Sequence, residues 1–220
     1  MDETQTASGQ DDGGRATTAT AATVRVLVAY ATRHGSTKEV AEAVAAELRG
    51  ADLEVSVRQI TGGLRAEAYD AVVVGAPMIM GWHKDAVRFL KRNEAALAGR
   101  PTACFAAAAS LTETNDESVA SVPLFRDPWL VKAPRRTDHL TYKERYASPR
   151  HYLESITDAR RAVHFVGVAF FGGSVDLTTM NILEKLFVML IVGASPGDLR
   201  NWEAIKAWSR EMLPRLTGGA

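Results

Sequence analysis

The stretch Val24–Leu48, VRVLVAYATRHGSTKEVAEAVAAEL, constrains the fold of this chain more than any other. An apolar run stops, a short hydroxyl-rich loop follows, and an amphipathic helix begins at once. Such a junction aims a helix N-terminus at the loop, where unpaired backbone N–H groups and the helix dipole favour an anion. Thr32, Ser36 and Thr37 add hydroxyls, and Gly35 lets the backbone approach a ligand closely. The pattern is that of a phosphate cradle. Its plainer alternative is a strand-to-helix turn capped by Ser36.

The type of cradle can be narrowed. A Walker A loop needs a glycine several residues before Gly-Lys-Ser/Thr, whereas the order here is Gly35-Ser36-Thr37-Lys38 without one. A dinucleotide fingerprint needs three glycines, and this loop has only Gly35. What remains, Thr-x-x-Gly-Ser-Thr directly after the first strand, resembles the FMN phosphate loop of flavodoxins.

Composition removes several function classes. The 220 residues include 26 basic and 26 acidic side chains, so nothing favours nonspecific nucleic-acid binding. Cys104 is the only cysteine and lies in the apolar run TACFAAAA, which predicts a core thiol without an internal disulfide. No zinc-spaced Cys/His set and no nucleophile elbow occurs, so no metal site and no protein nucleophile are nominated. Residues 1–23 are rich in Thr, Ala, Gly and Asp and predict a disordered tail without a signal or anchor core. No run reaches the roughly 18 apolar residues of a membrane span, and a cytoplasmic protein is the expectation.

Four apolar runs recur, at Val24–Tyr30, Ala71–Ala76, Thr102–Ala109 and Ala162–Phe170, with a weaker alternating one at Leu53–Arg58. Near-continuous apolar strands separated by helices predict a parallel sheet covered on both faces, with the alternating run at an edge. Val40, Ala41, Val44, Ala45 and Leu48 share one face of a first helix over Ser36–Arg49, closed by Gly50. A second helix is expected over Lys84–Leu97. A last one is expected over Asp198–Leu213, with Asp198 or Asn201 as its N-cap. The expected fold is α/β, a flavodoxin-like doubly wound five-stranded sheet of order 2-1-3-4-5, forming a single domain over residues 24–216. His164 falls inside a predicted strand and reads as a core histidine, while His83, just before a helix, reads as a capping or surface residue.

Two segments stand apart. Residues 112–146 form an insertion after the fourth strand, too long for an ordinary connection. Between Arg126 and Arg150 it carries seven basic and three acidic residues, interleaved with Trp129, Tyr142 and Tyr146, and Asp138–Ile156 reads as largely helical with a break at Pro149. Residues 180–192 (MNILEKLFVMLIV) are apolar nearly all round, as suits a buried helix, a dimer interface or a surface meeting membrane or quinone.

With the strands placed, Tyr69–His83 (YDAVVVGAPMIMGWH), His164–Phe171 (HFVGVAFF) and Gly197–Glu203 (GDLRNWE) fall into one order. That order resembles the flavodoxin-domain group that includes the menaquinone-dependent protoporphyrinogen oxidases, over about Val24–Leu111 and Arg160–Leu213. The resemblance implies FMN as cofactor. Thr32, Arg33, His34, Gly35, Ser36 and Thr37 would hold its phosphate. Pro77, Met78, Ile79, Met80, Gly81 and Trp82 would flank the isoalloxazine, with Trp82 the stacking candidate. Ala109, Ser110, Leu111 and Thr112 would form the other wall. Ala106–Leu111 lacks the aromatic residue many flavodoxins carry there, so the sandwich would be one-sided or completed by the insertion.

Electron-carrier flavodoxins are strongly acidic, whereas this chain is neutral with a basic insertion. The expectation is therefore an FMN-binding oxidoreductase passing electrons from a reduced organic substrate through FMN to a quinone or other acceptor, with protoporphyrinogen oxidation one specific form. The alternatives are a non-catalytic FMN electron carrier that docks a redox protein, or a flavin-free regulatory or scaffold domain. Expected partners are a small-molecule substrate or quinone, with peripheral membrane contact at the inner face and a homodimer both open, and no nucleic acid.

Overall fold

The apolar runs fold as strands because their residues have partners on both sides. In the computed structural model, which describes residues 23–79, 81–114, 118–119, 122–136, 138–157, 162–175 and 197–218, β1 (Arg25–Tyr30), β3 (Ala71–Pro77) and β4 (Thr102–Ala108) are buried along almost their whole length. β2 (Glu54–Gln59) is half-exposed, as its alternation predicts for an edge. Side chains alternate between two cores. Leu27, Ala29, Val72 and Val74 join Phe89, Leu90 and Leu97 from α2 (Lys84–Arg92) and α3 (Glu94–Leu97). Val26, Val28, Ala71 and Val73 join Val40, Val44 and Leu48 from α1 (Ser36–Arg49). Gly75 admits the Phe105 ring, which a Cβ there would overlap. Cys104 is fully buried with its thiol free, as predicted, and burial pushes that thiol well above its ordinary range.

The flavodoxin-like α/β class holds, with more strands than the five expected. The remaining strands are β5 (Leu111–Thr112), β6 (Ser118–Val119), β7 (Val122–Arg126), β8 (Val131–Lys132), β9 (Phe165–Gly172), β10 (Ser174–Val175) and β11 (Gly197–Asp198). The main sheet runs β2-β1-β3-β4-β9-β7-β6. Its first five members follow the expected order, with β9 in fifth place. β7 then adds a sixth parallel strand, Leu124 to Arg126 lying against Val168 to Phe170, and β6 pairs antiparallel to it. The insertion therefore extends the sheet. β7 escapes sequence reading because VPLFR is short and holds Pro123, a residue suited to sheet margins.

Several local readings change. The second helix breaks at Asn93, whose buried amide accepts from the Ala66 N–H (2.9 Å) and donates to the Phe89 carbonyl (2.9 Å). The insertion's helical part is two pieces, α4 (Tyr142–Tyr146) and α5 (Pro149–Thr157), the first closed by a Thr141–Glu144 capping box. The last helix, α6 (Trp202–Thr217), starts at the Asn201 cap. His164 is exposed just before β9, because the strand begins at Phe165; its carbonyl accepts from the Thr102 N–H. The expected tail, Met80 and the 180–192 segment lie outside the described residues.

Candidate functional site

The carboxyl ends of β1, β3 and β4 open onto one edge, and each is followed by a loop whose backbone is tied down. At the first, the Ala31 N–H donates to the Gly75 carbonyl (2.9 Å), which carries the chain off the strand beside β3. The Thr32 hydroxyl oxygen accepts from the Gly35 N–H (3.0 Å), folding residues 32–35 back on themselves. That bond leaves the hydroxyl's own proton free to donate outward. Gly35, at φ 89°, is the N-cap of α1, so the Ser36 cap of the plainer reading is replaced. A left-handed backbone suits glycine, and nothing lies within 4 Å of where its Cβ would stand. The Gly35 carbonyl accepts from the Lys38 and Glu39 N–H groups. The N–H groups of Ser36 and Thr37 find no acceptor among the described residues. Arg33 and His34 are exposed, Thr32 and Ser36 half-buried, and Thr37 buried.

The second loop is a tight reversal. The Met78 N–H reaches the Ala107 carbonyl (2.8 Å), the Ile79 N–H the Gly81 carbonyl (3.1 Å), and the His83 N–H the Pro77 carbonyl (3.2 Å). Gly81 takes φ 102° to turn the chain. Met78 and Trp82 pair across the turn and pack into the core, where Trp82 is 5% exposed. Ile79, 38% exposed, is the open side chain. His83 caps α2 as expected, its Nδ1 accepting from the Asp85 N–H (3.3 Å). That acceptor role needs the unprotonated ring. Partial burial lowers the His83 pKa; the Asp85 carboxylate opposes this and the Arg33 and Arg88 charges reinforce it.

The third loop is spent on the insertion. Ala109 and Ser110 are half-buried, and the Ser110 carbonyl accepts from the Tyr152 hydroxyl (3.2 Å). Burial first, then nearby Tyr146, pushes Tyr152 up to about 12, so it remains a donor. Leu111 and Thr112 are buried in β5, paired with β8, and the Thr112 hydroxyl donates to the Glu144 carbonyl (2.8 Å).

A cleft of about 230 Å³ joins the first two loops, lined by Arg33, Pro77, Ile79, Trp82, His83, Lys84, Asp85 and Arg88. Residues 109–112 do not line it. Of the first loop only Arg33 lines this cleft, facing Pro77, Ile79 and Trp82 of the second; Thr32 and residues 34–37 do not line it, and the expected third wall stands apart. Lys84, Asp85 and Arg88 are new members; the i, i+4 spacing of Lys84 and Arg88 was visible in the sequence, but the helix was read only for its buried face. Sequence reading also missed Asp127, fully buried, which accepts from the Asn201 amide (3.0 Å), the Trp129 N–H (3.0 Å) and the Gly172 N–H (3.4 Å). It fastens the insertion to β9 and to the α6 cap. The clamp around Arg200 was missed as well. Arg200 holds Asp198 through two nitrogens (2.7 Å each) and Glu39 in the first turn of α1 (2.7 Å).

With this geometry in hand, the comparisons fall into place. The sequence profile described as "Flavodoxin domain" matches residues 27–198. The chain belongs to the flavodoxin domain family, and membership implies an FMN-binding electron-transfer protein. Comparison with curated proteins gives no match. Among solved structures, oxidised flavodoxin 1 from Bacillus cereus is 24% identical over 38% of this chain, with a TM-score of 0.34, and 61% of that flavodoxin's length is spanned. A flavodoxin from Streptococcus pneumonia TIGR4 is 12% identical over 86% of this chain and 97% of its own, with a TM-score of 0.45. A flavodoxin from the domain Archaea is 11% identical over 88% and 99%, with a TM-score of 0.46.

The residues present fit FMN at the phosphate end. Two unpaired helix N–H groups and the Thr32 hydroxyl, whose own proton is not used by the Gly35 bond, supply donors beside open space over Gly35, as a phosphate monoester needs. Trp82 also leaves a buried indole N–H without a partner among the described residues, at the wall of the joined cleft. No helix among them is long and apolar enough to cross a membrane.

Proposed function

We propose that this protein is an FMN-dependent oxidoreductase that takes electrons from a reduced organic substrate and delivers them to a quinone or other acceptor, in the manner of the menaquinone-dependent protoporphyrinogen oxidases. The observation that carries the proposal is the cleft at the carboxyl edge of the sheet where Arg33 of the 32–37 loop meets Pro77, Ile79 and Trp82 of the 77–82 loop, the edge at which a doubly wound fold holds its ligand.

Bound FMN supplies the redox chemistry that side chains lack. Thr32, Gly35, Ser36 and Thr37 hold its phosphate through N–H and hydroxyl donors, with Arg33 and His34 at the rim. Pro77, Met78, Ile79, Gly81 and Trp82 set the position of the ring through a loop fixed by its own hydrogen bonds. Tyr152 and β8 hold Ala109–Thr112 outside that cleft.

Substrate handling, rather than passive carriage, is supported by the insertion. It exposes Trp129 (71%) and Tyr142 (76%) among Lys132, Arg135, Arg136, Lys143 and Arg145, on a chain without net charge. Such a surface suits a carboxylated substrate or the anionic headgroups of a membrane. The test is turnover of protoporphyrinogen by the FMN-loaded protein with a menaquinone analogue as acceptor. Turnover should fall at least tenfold when Arg135 and Arg136 are both changed to Gln. FMN binding without turnover of any reduced substrate would leave the protein an electron carrier.

A further inference from the structure

The cations around α2 exceed what the cofactor cradle uses. The cleft that joins the two loops shares its Asp85 and Arg88 walls with a second cleft of about 240 Å³, lined also by Ile60, Thr61, Gly62 and Arg92. Lys84, Arg88 and Arg92 are spaced four apart, so they form one stripe along the helix. Among the described residues Asp85 is the only carboxylate lining either cleft. It bonds Arg88 (3.1 Å) and lies 3.8 Å from His83 Nδ1. Lys84 is the first residue of α2, at the positive end of the helix dipole, where a cation is disfavoured. Neither Lys84 nor Arg33 has an acidic partner among the described residues. The Thr61 carbonyl fixes the Arg92 guanidinium (3.1 Å) beside the second cleft. The Trp82 indole N–H, buried behind the wall of the first cleft, has no partner among the described residues.

We propose that this groove, outside the phosphate cradle, binds an oxyanion group, carboxylate or phosphate, of the organic substrate that reacts at the flavin. Arg88 and Arg92 grip the group while Lys84 and the α2 N-terminus add positive potential. This rests on the FMN reading for its use and not for its site. Guanidinium groups suit both oxyanions because their planar fork matches two acceptor oxygens.

The full chain, flavin-free and FMN-loaded, is titrated by calorimetry with glutarate and with inorganic pyrophosphate. The indole N–H resonance of Trp82, assigned with Trp82→Phe, is followed in parallel. Saturable binding of either probe with a shift of that resonance is expected. Glutarate alone identifies a carboxylated substrate, and pyrophosphate alone a phosphorylated one. Arg88→Gln with Arg92→Gln should weaken binding about tenfold or more, from lost charge-assisted hydrogen bonds, and Arg92→Gln alone, which lies outside the first cleft, should leave FMN affinity unchanged. Lys206→Gln, on α6, should leave probe binding as it is. If neither probe binds, or the double variant binds them as the unaltered protein does, the groove is not a ligand site. Probe binding by a chain that takes up no FMN would overturn the cofactor reading and keep this one.

Discussion

The first strand-loop-helix unit and the insertion meet the same edge of the sheet, yet they are built by opposite means. In the first, the devices that shape the 32–37 loop are local: the Thr32–Gly35 bond spans three residues, and Gly35 itself caps the helix that follows. In the insertion the ties are long. Thr112 reaches Glu144, Tyr152 reaches Ser110, and Asp127 reaches Asn201 across 74 positions. Local devices leave a pattern that spacing can carry; long ties need the fold before they mean anything. The contrast also divides labour, since the first unit offers backbone donors to a ligand while the insertion spends its buried polar groups on the scaffold and turns its cations outward.

The largest effect expected on this contrast comes from the shared core. Phe105→Ala removes a buried ring packed on Gly75, Phe171 and Trp208, and should cost about 3–5 kcal/mol in denaturant unfolding, with both regions lost together. If the insertion unfolded at a lower denaturant concentration, it would be a separate unit.

Gly35→Asp comes next. It forces a side chain onto φ 89° and sets a carboxylate facing the phosphate, so FMN affinity should fall by about a hundredfold or more. Flavin fluorescence quenching reads the change. Full retained affinity would place the cofactor elsewhere.

Asp127→Ala tests the insertion alone. Its loss strands the Asn201 amide and two backbone N–H groups, at a cost of about 1–3 kcal/mol. Hydrogen exchange should rise in β7 and at the start of α6 and stay unchanged at residues 32–37. Equal exposure of both loops would erase the distinction drawn between them.

The smallest effect is a pH response confined to α4. Backbone N–H of Arg135, then the Thr141 hydroxyl and N–H, pull the Glu144 carboxyl from its ordinary 4.5 down to about 2. A depressed carboxylate contributes its bonds fully above its unfolded pKa and loses them as pH falls through the folded one. The cap should therefore persist at pH 4.5 and be lost near pH 2. Carboxyl carbon shifts of Glu144 read the midpoint, and a value near 4.5 would show the capping box unformed in solution.

These regions also measure what a sequence discloses. The buried strands, the first helix and the hydroxyl-rich loop between them were legible because apolar period and hydroxyl spacing are local signals. The break at Asn93 was not, since its cause is a hydrogen bond to Ala66 on another segment. β7 was hidden by Pro123 and by pairing with a strand some forty residues later. The cationic stripe of α2 was in plain view, but only the fold shows Arg33 and the 60–62 turn facing it.

The most direct test of the central claim is FMN titration of the purified, folded chain, followed by absorption and flavin fluorescence, beside its Gly35→Asp variant. The account predicts saturable one-to-one binding with flavin bands in the unaltered chain and none in the variant. A folded chain that takes up no FMN, or a variant that binds it equally well, would contradict it.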